Sequence, residues 1–415
     1  MIREMCERFG VEGRVRDAAL AAFERASRLS YEAQQRVALN VLQAFLEEGI
    51  SESDLAGSTG YGYDDTARAR YESLLARIFG AQRALARLSI VSGTHAIVAS
   101  LAACTPRGGT LLSISGAPYD TLRNAICDAP HALTGDGIEY REVSLGADGG
   151  IDLDAVERAV AQTGTATVFI QRSRGYAPRR SLYVDECAAA IACVKRANPE
   201  ALVLVDNCYG ELVEEREPSH AGADLVMGSL IKNLGGSIAP AGGYVAGRAG
   251  VVERVAARLY APGLSDALGP TLGFGRALVQ GLFLAPLVVE QTLRGLDFIA
   301  ALFERLGYEV EPACGARRTD IVQAIRLGSV DRLRRFAAGL QAAMPLNARF
   351  RPEPGSVPGY AQPVIMSSGA FVSGATIELS CDAPLREPFE VYVQGGVSAA
   401  HAYLGALFAA RALEP

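Results

Sequence analysis

Tryptophan is absent from the 415 residues, and lysine occurs only at Lys195 and Lys232 among 40 basic side chains. The four histidines, His95, His131, His220 and His401, are too widely spaced to suggest a zinc motif. The eight cysteines (Cys6, Cys104, Cys127, Cys187, Cys193, Cys208, Cys314 and Cys381) form no CxxC pair. That scatter fits reduced thiols in a cytosolic protein better than a disulfide framework. No apolar run reaches the length of a membrane span. The opening "MIREMCERFGVEGRVRDAAL" is amphipathic and mixed in charge, which does not match a signal peptide. A basic run is also missing, and the net charge is -6. Electrostatics therefore gives no reason to expect nucleic acid or an acidic membrane as partner.

What is present suits a soluble globular protein: 49% hydrophobic and 21% charged residues, enough for roughly two or three domains. A core of this size needs no disulfide or metal to support it. Residues 1–56 read as helices leading into an arm. "EAQQRVALNVLQAFLEEG" places Val37, Val41, Leu42 and Phe45 at helical spacing and stops at Gly49. A Gly- and Tyr-rich loop, "GSTGYGYDD", and a helix, "ARARYESLLARIFG", follow. From about residue 88 to 250 short apolar runs alternate with helical segments. "GTLLSIS" (109–115), "TATVFIQ" (165–171), "ALVLVDN" (201–207) and "ADLVMGS" (223–229) read as buried strands. This pattern predicts an α/β fold with a mainly parallel sheet over 57–295. A Gly/Pro-rich passage (262–275) precedes the helix "LAPLVVEQTLRGLDFIAALFERLG", and residues 296–415 read as a smaller C-terminal α/β domain.

In open α/β sheets ligands sit beyond the carboxyl ends of the strands. Tyr119 follows the first of these four strands, and Arg172 and Arg174 follow the second. Asp206 ends the third, and Lys232 follows the fourth in "MGSLIKNLGG". Taken singly, each has an ordinary explanation as a cap, a turn residue or a surface charge. At four strand ends together they form a candidate site. A lysine amine, unlike a guanidinium, can shed its proton and form a Schiff base. Pyridoxal phosphate would use the whole set. Lys232 would hold its aldehyde, Asp206 would pair with the protonated ring nitrogen, and Tyr119 would stack on the ring. Gly93 and Thr94 in "SGTHAIVASLAAC" would open a helix whose free N–H groups attract the phosphate, with Ser229 adding a hydroxyl.

The stretches "STGYGYDD", "SGTHAI", "PYDTL", "IQRSRGY", "VDNCYGE", "GSLIKN", "APAGGYVAGR", "QGLFLAP" and "IELS" run in order from residue 58 almost to the C-terminus. With them the chain resembles the aluminium resistance, or methionine γ-lyase-like, family. That family belongs to the Cys/Met-metabolism branch of the fold-type-I pyridoxal phosphate enzymes. The resemblance implies the fold-type-I transferase fold and the roles just given to Lys232, Asp206, Tyr119, Gly93, Thr94 and Ser229. It also implies that Tyr61 and Tyr63 of the "GYGYDD" loop serve a neighbouring subunit's cofactor, in a homodimer that pairs into a homotetramer. An arginine should hold the substrate α-carboxylate. Arg386 in "APLREP" is the candidate and Arg174 its rival. Three features depart from the family: Leu234 stands where proline is usual after "IKN", and "DDTARARYE" and "EPGSVPGY" differ from the common forms.

The activity implied is elimination of a γ-substituent, thiol or halide, from an L-amino acid. Lys232 would shuttle the protons, with Tyr63 or Tyr119 as acid at the leaving group. The resemblance extends to enzymes that convert a γ-chlorinated allylglycine to the terminal alkyne propargylglycine. The alternatives are a cystathionine β-lyase-like carbon–sulfur lyase, an aminotransferase, a non-catalytic metal-tolerance protein, and a pseudoenzyme that keeps the cofactor for folding. Acidic clusters are short and histidines few, so direct metal binding is not expected.

Overall fold

A computed structural model describes residues 1–162 and 164–414. Three helices lead the chain: α1 (Ile2–Phe9), α2 (Gly13–Ala26) and α3 (Glu32–Glu48). The loop after them ends at Asp65, whose carboxylate caps α4 (Thr66–Ile78) by accepting the Arg68 N–H at 2.9 Å. Then come β1 (Arg83–Arg87), α5 (Gly93–Cys104), β2 (Thr110–Ser113), α6 (Asp120–Arg123), β3 (Glu139–Glu142) and α7 (Leu153–Gln162). The next elements are β4 (Thr165–Gln171), α8 (Val184–Ala197), β5 (Leu202–Asp206), β6 (Leu225–Ser229), β7 (Gly243–Gly247) and α9 (Ala249–Leu259).

Strands β1 to β7 form one sheet in the order β1-β7-β6-β5-β4-β2-β3. Its right-hand five strands run parallel, and β7 is antiparallel to both of its neighbours. The strands expected at 165–171, 201–207 and 223–229 are present as β4, β5 and β6, and 109–115 holds β2. Their runs are buried on both faces, which is why they read as continuous apolar segments rather than alternating ones. The two strands beyond β6 at that end of the sheet, β7 and then β1, were less legible. β7 is "GYVAG", two of its five residues glycine, and β1 is "RALAR", with arginine at both ends.

Helix α10 (Gly275–Arg305) runs unbroken through 295–296 and starts within what reads as a Gly/Pro-rich loop. Leu278, Val279, Leu282, Ala285, Val288 and Val289 are all buried along it, and that burial carries the helix past Pro286. It packs on α2, α3 and α12 (Ala399–Leu413), and so ties the two ends of the chain together. Beyond it, β8 (Glu309–Glu311), β9 (Val322–Arg326), α11 (Val330–Gln341), β10 (Pro354–Gly355), β11 (Val364–Ser368), β12 (Ser380–Pro384) and β13 (Glu390–Gln394) complete the small unit. Its antiparallel sheet has the order β10-β11-β12-β13-β9-β8. The architecture is the fold-type-I α/β fold.

Candidate active site

The parallel strands end at one rim. There Lys232, three residues past β6, lays its Nζ 3.5 Å from the centroid of the Tyr209 ring. Asn233, the next residue, fixes that approach. Its Nδ2 donates to the carbonyls of Tyr209 at 2.9 Å and Glu211 at 2.8 Å, clamping the loop after β5 beneath the lysine. The glycines that follow permit close packing. A Cβ on Gly236 (φ 52°) would lie 2.4 Å from the Gly281 carbonyl of α10. Leu234 is fully buried.

Asp206, the last residue of β5, is 3% exposed. Its Oδ1 accepts the Cys208 N–H at 3.0 Å. Burial raises its pKa, opposed by Cys208, Lys232 and Arg179. Around Lys232, burial works against the ammonium, but Tyr209, Cys208 and Asp206 outweigh it and the pKa lies above the ordinary lysine value. Tyr119 precedes α6. Its hydroxyl shares a 2.8 Å hydrogen bond with Thr94 Oγ1, and its N–H donates to Gln171 Oε1 at 2.8 Å. Burial, then Asp206, pushes the phenol well above its usual pKa, so it stays a hydroxyl at neutral pH.

Gly93 opens α5 against the same rim. A Cβ there would meet Cys208 Sγ at 3.2 Å and Ser229 Cβ at 3.3 Å. Lys232, Asp206, Tyr119, Gly93, Thr94 and Ser229 therefore share one site. The free N–H groups of a helix start beside a buried serine suit a phosphate. A buried carboxylate beyond Lys232 suits a protonated ring nitrogen. The residues present fit pyridoxal phosphate.

The remaining expected residues are placed differently. Tyr61 and Tyr63 are 70% and 57% exposed on the loop between α3 and α4, with their rings 5.7 Å apart. Arg174 reaches the rim, but its terminal nitrogens are engaged by Glu311 and Glu390 and its guanidinium lies over Tyr392. Arg386 bridges the small unit to the large one: Nη1 donates to Asp120 at 3.2 Å and Nη2 to the Tyr176 carbonyl at 2.8 Å.

Sequence reasoning gave no role to several neighbours. Tyr209 holds a left-handed backbone (φ 71°), a conformation rare outside glycine. Asp382 of β12 is buried, accepts Gln394 Nε2 at 2.7 Å and faces Lys232. Tyr176 stacks on Tyr392 at 5.5 Å and meets Tyr360 at 5.3 Å, so aromatic rings line the small-unit side. Glu211, fully buried, accepts from the Tyr244 hydroxyl at 3.0 Å, and burial pushes its pKa up to about 8.

The family model of methionine gamma-lyase matches residues 14–414. The chain belongs to this family. A carbon–sulfur lyase involved in aluminium resistance from Clostridium novyi superposes with a TM-score of 0.92 at 37% identity, covering 98% of each chain. A candidate cystathionine beta-lyase involved in aluminium resistance from Clostridium acetobutylicum gives 0.93 at 38% identity, over 100% of this chain and 98% of its own. The Bacillus subtilis protein YnbB is 43% identical over 374 residues, 89% of each chain. The family member described here thus matches these relatives over nearly their full length.

Proposed function

We propose that the protein is a pyridoxal phosphate-dependent lyase that eliminates a thiol or halide from the γ-position of an L-amino acid. The observation that carries this reading is Lys232 held against Tyr209 at a rim shared with Asp206, Tyr119 and the start of α5. The carbon–sulfur lyase from Clostridium novyi, 37% identical, supports sulfur as the leaving atom. Elimination at Cβ from a cystathionine-like substrate is the second reading, supported by the similarity to the Clostridium acetobutylicum protein. A γ-chlorinated allylglycine, giving propargylglycine, is the halide substrate to test. The cytoplasm, with a homodimer pairing into a homotetramer, is the setting this reading assigns.

When bound, the cofactor supplies an electron sink conjugated to the substrate Cα. The chain supplies the rest. Gly93, Thr94 and Ser229 would hold the phosphate, Asp206 would keep the ring nitrogen protonated, and Tyr119 would cover the ring. Lys232, with its amine free, would take the proton from Cα and could carry a second from Cβ. Tyr119, a hydroxyl at neutral pH, can protonate the leaving group, and the partner's Tyr63 is its rival. Arg386 would receive the α-carboxylate by exchanging its contacts with Asp120 and the Tyr176 carbonyl, with Arg174 as its rival.

The test is a visible absorption spectrum of protein loaded with pyridoxal phosphate, with Lys232→Ala alongside. It is paired with assays for 2-oxo acid and for released thiol or chloride. A visible band absent from the variant, with product formed by the wild type, supports the reading. Wild-type protein that takes up no cofactor refutes it. Keto acid without a leaving group would mean transamination.

A further inference from the structure

Arg179, in the turn after β4, directs Nη2 to the carbonyls of Ser173 at 2.6 Å and Gln171 at 3.3 Å. Its Nη1 is sealed from solvent and finds no hydrogen-bond partner among the described residues. An unsatisfied buried donor on a charged group is costly and calls for an occupant. Its position indicates which one. Gln171 is the register partner of Asp206 on the adjacent strand, and its Oε1 accepts the Tyr119 N–H. The guanidinium therefore sits between the ring-nitrogen carboxylate and the turn bearing the stacking tyrosine. Nearby, Arg172 spends both terminal nitrogens on Asn207, Gly210, Glu214 and Thr319. Arg174 and Arg386 are engaged as described. Of these four arginines, Arg179 has a buried terminal nitrogen without a hydrogen-bond partner among the described residues; Arg174 has a buried Nε in the same condition, but its terminal nitrogens face Glu311 and Glu390.

Resting on the reading proposed above, we infer that Arg179 holds the phenolate oxygen of the pyridoxal ring. Besides the aldehyde that Lys232 would take, the cofactor carries three polar features. Its phosphate goes to α5 and Ser229, its ring nitrogen to Asp206, and the phenolate remains. A buried, permanently charged donor near Asp206 suits that anion, because charge-assisted hydrogen bonds are the stronger ones. Burial, then Arg174, lowers the Arg179 pKa to about 10, which leaves it charged at neutral pH. The charged groups facing it are Asp206 on β5, Arg174 in its own turn and Asp320 from the loop before β9. Asp320 is already engaged by the Ser181 hydroxyl and the Val322 N–H. A fixed cation beside the phenolate also disfavours a proton on the adjacent lysine–cofactor nitrogen, so Arg179 would set the pH at which that nitrogen titrates.

The experiment compares wild type, Arg179→Lys and Arg179→Gln, each loaded with pyridoxal phosphate, with no amino acid present. Visible absorption is followed against pH, and cofactor affinity is measured by titrating the stripped protein. Removing a neighbouring cation shifts a titration by about 1–3 pH units. Arg179→Gln should therefore move the midpoint upward by about one unit or more and weaken cofactor binding, with Arg179→Lys in between. Identical midpoints in all three proteins overturn the inference while leaving the lyase reading intact. An unchanged midpoint, together with weaker binding of a non-reacting amino acid in a separate titration of the three loaded proteins, also overturns it and assigns Arg179 to the substrate carboxylate. A wild type without a visible band overturns both.

Discussion

Before any ligand arrives, Lys232 is held as an ammonium by Tyr209, Cys208 and Asp206, against the effect of burial. An ammonium cannot attack an aldehyde, so cofactor capture requires the minority free amine. Capture should speed up about tenfold per pH unit while the amine stays mostly protonated. Stopped-flow mixing of stripped protein with pyridoxal phosphate at several pH values measures this. A flat profile would show that a neighbour has already taken the proton. Glu211, behind the lysine, gives a second expectation. Its pKa is up to about 8 in the fold through burial, against about 4.3 in an unfolded chain. Between those values the unfolded chain carries the carboxylate and the folded one keeps the proton, so stability present at low pH is lost as pH rises through the window. Glu211→Gln retains an acceptor for Tyr244 and cannot ionise. Its advantage over wild type should grow with pH by at most about 1.4 kcal/mol per unit. Thermal midpoints of the stripped proteins near about pH 5 and about pH 8 decide it, and an equal gap at both would mean that Glu211 is ionised in the fold.

At the scale of elements, the site depends on how closely α5 approaches β6 and the loop after β5. Gly93 makes that approach possible, with Cys208 and Ser229 3.2 to 3.4 Å from where a Cβ would lie. Alanine favours the helix itself but forces those neighbours back by a few tenths of an ångström. Overpacking of this kind costs about 1–3 kcal/mol. Gly93→Ala should leave folding intact and weaken cofactor affinity by about 5- to 150-fold, read by titration of the stripped protein. Unchanged affinity would mean that the phosphate is held elsewhere. The elements behind this contact were legible because β4, β5 and β6 are buried on both faces and so read as unbroken apolar runs. Ser92, the cap of α5, announces the helix start and accepts the His95 N–H at 3.0 Å. Tyr209 was not legible in its role, because its position over the lysine depends on a left-handed backbone that a tyrosine does not signal. Neither was Arg179. Where its head lies is set by two strand-end carbonyls, and side-chain identity says nothing of carbonyl direction. The antiparallel β7 was hidden by its glycines.

At the scale of the whole molecule, the small unit reaches the large one through Arg386, while Tyr61 and Tyr63 stand exposed on their loop. That loop is anchored from behind. Asp65 Oδ2 accepts Ser58 N–H at 2.9 Å and Thr271 N–H at 2.7 Å, and the Gly269 N–H donates to the Tyr61 carbonyl at 2.9 Å. An anchored loop presenting two bare aromatic rings is built for contact rather than for solvent. Leu39, Leu42, Leu46, Phe283 and Leu287 on α3 and α10 are exposed as well, and further apolar surface of this kind favours association of two copies. If the loop completes the neighbour's site, two inactive variants should rescue each other. In a mixed dimer of Lys232→Ala and Tyr63→Ala chains, one site loses both groups. The other takes Lys232 from one chain and Tyr63 from its partner, and is intact. Random pairing gives mixed dimers half the time, so activity should recover to about a quarter of wild type. Denaturing and refolding the variants together, then assaying elimination against each refolded alone, measures this. Activity no higher than the average of the two separate variants would place Tyr63 outside its partner's site, and the site would then be complete within one chain.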